Sequence, residues 1–146
     1  MRHHLILRVI TKLLVGAIIL FALYVQFHGD YSPGGGFQAG VIMAVAFIIY
    51  GVVFSLREVQ KVFPPWLVHK LVALGLLIYA CTGIVGIVMG YPYLDYDALS
   101  PHHPEHGQHY GILIVELGVG ITVTGVMVAI YYAFAGRTPR ISDEEW

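Results

Sequence analysis

The sequence predicts an all-α membrane protein with four transmembrane helices and both termini on the cytoplasmic side. Three observations predict it. The chain of 146 residues is 58% hydrophobic and only 12% charged, with a mean hydropathy of +0.74. That is more apolar surface than a soluble domain of this length can bury. The apolar residues fall into four runs of membrane-spanning length, because a helix rising about 1.5 Å per residue needs about 20 residues to cross about 30 Å. Finally, all eight Lys and Arg residues fall on one side of the membrane once those runs are taken as helices.

The first run is Val9–Phe27, in which Lys12 can snorkel to the interface. No small-x-small cleavage site follows it, so it reads as a retained span rather than a signal peptide. The second run, Phe37–Leu56, and the third, Leu71–Met89, carry no charge. The fourth, Tyr110–Phe134, carries one, Glu116. Polar Gly/Pro-containing segments, Gly29–Gly36, Arg57–Pro65 and Gly90–Gly107, separate the runs. One four-helix domain over residues 1–146 is expected, with spans at about 9–27, 37–56, 71–89 and 110–134.

Arg2, Arg8 and Lys12 precede or open the first span. Arg57, Lys61 and Lys70 surround the second loop, and Arg137 and Arg140 follow the fourth span. The opposite loops hold Asp30, Asp95, Asp97 and Glu105 and no Lys or Arg. By the positive-inside rule this places the chain as a multi-pass protein of the plasma (inner) membrane with cytoplasmic termini. A three- or five-helix reading would scatter the cations over both faces. The net charge of −1 gives no reason to expect nucleic acid. The lone Cys81 excludes a disulfide framework and a CxxC redox or metal motif.

Small residues recur at helical spacing. Gly36, Gly40 and Ala44 share a face of the second span. Gly86 and Gly90, with Gly75 and Thr82 nearly in line, do so in the third, and Gly118, Thr122, Gly125 and Ala129 in the fourth. Such faces let backbones approach closely. They pack the four helices on one another, and their number favours a subunit that also packs against other membrane proteins in the lipid bilayer.

The segment His28–Gly40 reads as a tight extracytoplasmic turn followed by a helix start, with Ser32 as N-cap and Pro33 at the first helical position. Gly34, Gly35 and Gly36 each cost a helix about 1 kcal/mol relative to Ala. Close approach of another helix or a lipid, or an anion or carboxylate facing the bare amides, would offset that cost. No Gly-Lys-Ser/Thr follows, so the turn is not a nucleotide-binding loop.

Asp30-Tyr31-Ser32-Pro33-Gly34-Gly35-Gly36-Phe37, placed between two apolar helices, resembles the signature of the MnhB-domain family, the MnhB-type subunits of the Mrp-type (Mnh-type) multisubunit Na+/H+ antiporters, which are related to membrane subunits of membrane-bound hydrogenases. In that family the residues before the Tyr are often Gly-His, whereas here the order is His28-Gly29-Asp30. Glu116-Leu117-Gly118-Val119 through Gly125 is similar to the acidic run of the family's last helix. The resemblance implies a non-catalytic subunit of a complex that exchanges Na+ for H+, needed for assembly and activity, with other antiporter subunits as partners. It leaves open a membrane-arm subunit of an ion-translocating redox complex. Read from the residues themselves, with bare backbone open to a neighbouring helix, Pro33, Gly34, Gly35, Gly36, Phe37 and Gly40 form a helix-packing turn.

Glu116 lies about two turns into the fourth span, counting from Tyr110. A carboxylate there costs several kcal/mol unless it is paired, protonated or hydrated, which makes it a candidate for ion or proton handling as well as for a structural hydrogen bond. This chain supplies no basic residue on the same side of the membrane. A second cluster is His102-His103-Pro104-Glu105-His106-Gly107-Gln108-His109. His102, His106 and His109 would share a face if helical and could hold Zn2+. Pro104 and Gly107 argue instead for an irregular, solvated loop whose histidines titrate with external pH. A bis-His haem would need facing intramembrane histidines, and only His69 comes near a span. No cofactor is expected. Tyr91, Tyr93, Tyr96 and Tyr110, with Trp66, read as interfacial anchors. No nucleophile constellation or paired carboxylates suggest an enzyme.

Overall fold

The computed structural model describes residues 5–29, 34–100 and 104–137. Among them it shows five α-helices and no strand: α1 Leu5–Phe27, α2 Gly36–Phe54, α3 Leu56–Val62, α4 Pro65–Val88 and α5 Pro104–Ala135, with a short 3-10 turn at Tyr96–Leu99. Four of them, α1, α2, α4 and α5, are long and apolar enough to cross a membrane.

The boundaries differ from the hydropathy runs where polar residues belong to helices. α2 starts at Gly36, not at Ser32-Pro33. Gly35 is the extended residue before it, its carbonyl accepting from Ala39 N–H at 3.0 Å. The Gln38 side chain folds back, its Oε1 accepting from Gly35 N–H at 3.0 Å. Two of the three glycines therefore precede the helix and cost it nothing. Ser32 and Pro33 lie outside the described residues.

The segment read as a loop from Arg57 to Pro65 contains α3. Leu56 and Val59, with Phe63 just past its end, recur at helical spacing around Arg57, Glu58 and Lys61. Val59 is fully buried, and Lys61 Nζ meets Glu58 Oε1 at 2.7 Å. Pro64 then caps α4 with Pro65 at its first turn, where a missing N–H is harmless. α4 thus begins six residues before the uncharged run, with Lys70 Nζ 4.9 Å over the Trp66 ring.

Ser55, between α2 and α3, has φ +123° and ψ +159°. That region is essentially restricted to glycine and costs about 1–3 kcal/mol for another residue. Ser55→Gly is therefore expected to raise the apparent unfolding midpoint of the detergent-solubilised protein by several degrees. An unchanged midpoint would mean that the Ser55 side chain contributes as much as the strain removes.

At its other end α4 closes in a Schellman turn. Tyr91 N–H donates to Gly86 O at 2.9 Å and Gly90 N–H to Ile87 O at 3.0 Å, with Gly90 at φ +85°. Gly90 is thus a turn residue and not part of a packing stripe, and Gly86 packs against the Pro92 carbonyl of the loop it leads into. The loop folds back over its own hairpin, with the Tyr93 ring on Gly83 and the Tyr96 ring on Gly111. Tyr96 is half-buried there, and that burial raises its phenol above its ordinary value. These two tyrosines fill glycine gaps.

α5 is the central helix, with α2 and α4 both packed along it, while α1 packs on α2 and touches α5 only lightly. Two of its faces do this work. Gly118 and Gly125 admit α4: a Cβ on Gly118 would lie 2.9 Å from Gly75 O, and one on Gly125 2.7 Å from Val72 Cγ2. Gly120 and Thr124 face α2: a Cβ on Gly40 would lie 2.6 Å from Gly120 O. The expected small-residue stripes of α2 and α5 are therefore consumed within the bundle. They give no argument for outside partners. What the long helices present outward is mostly large aliphatic, such as Leu13, Leu20, Leu76 and Ile87. The core is small: Ala44, Phe63, Val68 and Val128, with Phe63 stacked on Phe47 at 4.5 Å and its carbonyl accepting from Tyr132 Oη at 2.6 Å.

Candidate functional site

The packing of α2 on α5 sets the level of Glu116. Gly36, the first residue of α2, lies on the Glu116 backbone, so closely that any side chain at Gly36 would meet the Glu116 carbonyl. The end of α1 lies at the same level. A Cβ on Gly29 would stand 2.6 Å from Glu116 Oε2, and one on Gly35 2.7 Å from Oε1. The carboxylate thus rests between the two limbs of the α1–α2 turn. The glycines that looked like a helix entry are the space it occupies. Glu116 is half-buried and lines an open groove of about 330 Å³ with Gly35, Gly36, Phe37, Gln38, Val115 and Val119.

The two hairpins are staggered. α5 begins twelve residues before Glu116, so its start stands about 18 Å beyond the level of Gly29 and Gly35. Measured from Tyr110, where the apolar part of α5 begins, Glu116 and the glycines against it, Gly29 and Gly35, are recessed by about 9 Å. Exposed apolar residues on α4 continue out to Val88 and Met89. Non-helical backbone at membrane depth is tolerated only where protein or a water-filled cavity lines it.

One turn further in, Gln26 of α1 lies over Gly120 and is buried, 6% exposed. A Cβ on Gly120 would come within 2.5 Å of its Oε1 and 3.2 Å of Gly36 O. Another turn in, the buried Thr124 hydroxyl is within 2.8 Å of Gly120 O and 3.1 Å of Gly40 O. Gln26 escaped the sequence reading. A single Gln near the end of an apolar run looks like an interface residue, and only the match to Gly120 reveals it as interior.

The other expected site residues divide. Gly34, Gly35, Gly36, Phe37 and Gly40 all lie at the turn or on the first turns of α2, with Phe37 turned outward at 64% exposure. Pro33 lies outside the described residues. From Pro104 to His109 the histidine segment is the start of α5, contrary to the irregular loop expected of it. Pro104 sits where a helix accepts proline, and Gly107 is required because a Cβ there would lie 2.6 Å from Tyr96 O. His106 and His109 are on this helix, with His109 exposed, and His102 lies outside the described residues. Among the described residues no three His, Cys, Asp or Glu side chains are grouped to hold a metal.

The family described as "Domain related to MnhB subunit of Na+/H+ antiporter" matches residues 6–129. Similar proteins bear the name "Putative antiporter subunit mnhB2". That of Staphylococcus haemolyticus is 37% identical over 133 residues, covering 90% of this chain and 94% of the relative. Those of Staphylococcus epidermidis and Staphylococcus aureus are each 34% identical over 133 residues with the same coverage. The matched stretch contains α1 almost entirely, α2 to α4, and α5 through Ala129, and with them Glu116 and its turn.

Proposed function

The chain belongs to the MnhB family, and from that premise we propose that it is a non-catalytic membrane subunit of a multisubunit Na+/H+ antiporter, needed for the assembly and activity of that complex. The observation that carries the reading beyond family membership is the seating of Glu116 between Gly29 and Gly35 in a recessed, non-helical turn. A carboxyl group held at that depth is a functional group by default. In this role it exchanges a proton or transiently holds a cation. The partly buried, non-helical backbone at Gly29, Gly34 and Gly35 at that depth calls for a water-filled cleft or a neighbouring subunit. The names of the relatives give the redox-complex alternative no support.

Gentle solubilisation of the tagged protein tests the reading. Other antiporter-type membrane subunits are expected to copurify, and iron–sulfur proteins in their place would overturn it.

The one-sided distribution of Lys and Arg supports a plasma-membrane protein with cytoplasmic termini. In a Cys81→Ser background, a cysteine at Gln60 on α3 is then expected to be protected from an impermeant thiol reagent added to intact cells. One at Leu99, which is exposed in the α4–α5 loop, is expected to be labelled. The neighbouring Ala98 is 1% exposed and would resist labelling on either side. Labelling at Gln60 alone would invert the orientation.

A further inference from the structure

The four long helices pack in a row: α1 on α2, α2 on α5 and α5 on α4, with α1 only lightly on α5. All four nevertheless line one open groove of about 260 Å³, so the row curves around it. The groove wall includes Leu23 of α1, Met43 and Phe47 of α2, Ile121 of α5 and Leu71 of α4, and it is almost entirely apolar. In a bilayer such a wall is covered by hydrocarbon. What selects the hydrocarbon is found nearer the start of α1. Arg8 Cζ lies 5.0 Å and Lys12 Nζ 5.7 Å from the centroid of one ring, that of Phe54 at the end of α2. Among the described residues neither cation has a carboxylate partner. Like charges four residues apart on a helix repel, and an anion held by both would offset that repulsion.

The cation pair and the groove lie on one line. Residues seven or eleven apart return to the same face of a helix. Eleven residues lead from Lys12 to Leu23 on α1, and seven and eleven lead from Phe54 back to Phe47 and Met43 on α2. Gly16, between Lys12 and Leu23, leaves the path bare, because a Cβ there would meet nothing within 4 Å. The distance suits a lipid. Half the hydrocarbon core of a bilayer is about 15 Å thick, which is about ten helical residues. A headgroup held at Lys12 therefore sets the end of its acyl chain at the level of Ala22 and Leu23, both on the groove wall. Basic residues at the membrane surface beside an apolar crevice between helices select an anionic headgroup.

We propose that this face binds an anionic phospholipid from the leaflet at the start of α1. Arg8 and Lys12 hold its phosphate above Phe54, and one acyl chain runs over Gly16 into the groove between α1 and the rest of the row. The site lies at the opposite end of α1 from Glu116 and does not depend on what that carboxylate does.

The test is photocapture of lipid by the assembled complex. The complex is reconstituted into phosphatidylcholine vesicles containing a minor fraction of phosphatidylglycerol, with one lipid or the other carrying a tagged acyl chain. The photoreactive residue p-benzoylphenylalanine stands in place of Leu23 or of Leu77, which is exposed on another face of α4 from Leu71. At Leu23 phosphatidylglycerol is expected to be captured about tenfold in excess of its share of the vesicle lipid, and at Leu77 in proportion to its share. Arg8→Gln with Lys12→Gln should bring capture at Leu23 down to the proportion at Leu77, whereas Arg8→Lys with Lys12→Arg should keep the excess. Proportional capture at Leu23 with both native cations in place would overturn the site, whether or not the Gln variant assembles. Capture of another polypeptide at Leu23 would make the groove a protein interface and overturn it too. Inorganic phosphate should compete no better than chloride at equal ionic strength, and stronger competition would make the cation pair a site for free phosphate, against the proposal. Because the readout is the identity of the captured lipid and not transport, it fails or stands apart from the proposed function.

Discussion

Glu116→Gln should leave the amount of assembled complex near that of the wild type and reduce Na+-driven proton movement by about tenfold or more, within the range a single proton-transferring side chain contributes. The amide matches the carboxylate in shape, so the van der Waals fit against Gly29 and Gly35 is kept. What is lost is the ability to take up and release a proton or to hold a cation. The measurement is exchange in everted vesicles across pH, with complex quantified in parallel.

The variants around it divide the roles. Glu116→Leu should also lower the amount of complex, because it places an apolar branch against the turn backbone. Glu116→Asp draws the carboxylate back from the turn by one methylene and should keep part of the exchange with an altered pH profile. Among the described residues, the titratable neighbours that could shape that profile are His28, next to Gly29 at the end of α1, and Tyr79 of α4, whose backbone N–H adjoins Gly118. The described part of α2 carries none at this level. Wild-type exchange at every pH with Gln in place, at equal complex amount, would remove Glu116 from the ion route and leave it a packing residue.

Much of this arrangement was legible in the sequence, and the reasons are specific. The four long helices follow from the length of the apolar runs. Glu116 stood out because a charge inside an apolar run is costly wherever it points. The glycine turn stood out because three glycines in a row demand a reason. What could not be read was that these two features are one. No periodicity links positions 29 and 35 to 116, since the link is made by the stagger of two hairpins. Hydropathy windows also misplaced the helix starts at Pro65 and Pro104. There polar residues occupy the first turns, and proline at a first position resembles a break until the cap is seen. α3 was hidden by its charges, although Leu56, Val59 and Phe63 already carried a helical spacing. The small-residue stripes of α2 and α5 were correctly located and over-read, whereas in the third span Gly90 is a turn residue. They imply close helix contact, but the pattern alone does not say whether the contact lies within the chain or beyond it.

Gly36→Ala should be the most damaging single-methyl change in the protein. The added Cβ would run into the main-chain carbonyl of Glu116, and the neighbour that would have to yield is helix backbone and not the end of a flexible side chain. α2 would have to move away from α5, and the contact that would open is the one that also brings Gly40 onto Gly120 and seats Thr124 against Gly40 O. Overpacking of a tight core commonly costs about 1–3 kcal/mol, and a backbone obstruction belongs at the upper end. The control is Gly16→Ala on α1, where a Cβ meets nothing within 4 Å. Helix propensity alone favours that change by about 1 kcal/mol. On a native gel Gly36→Ala is expected to lose most of the complex and Gly16→Ala to keep all of it. If both assemble equally, α2 and α5 are not held at the distance described. The seat of Glu116, which depends on that distance, would have to be drawn anew.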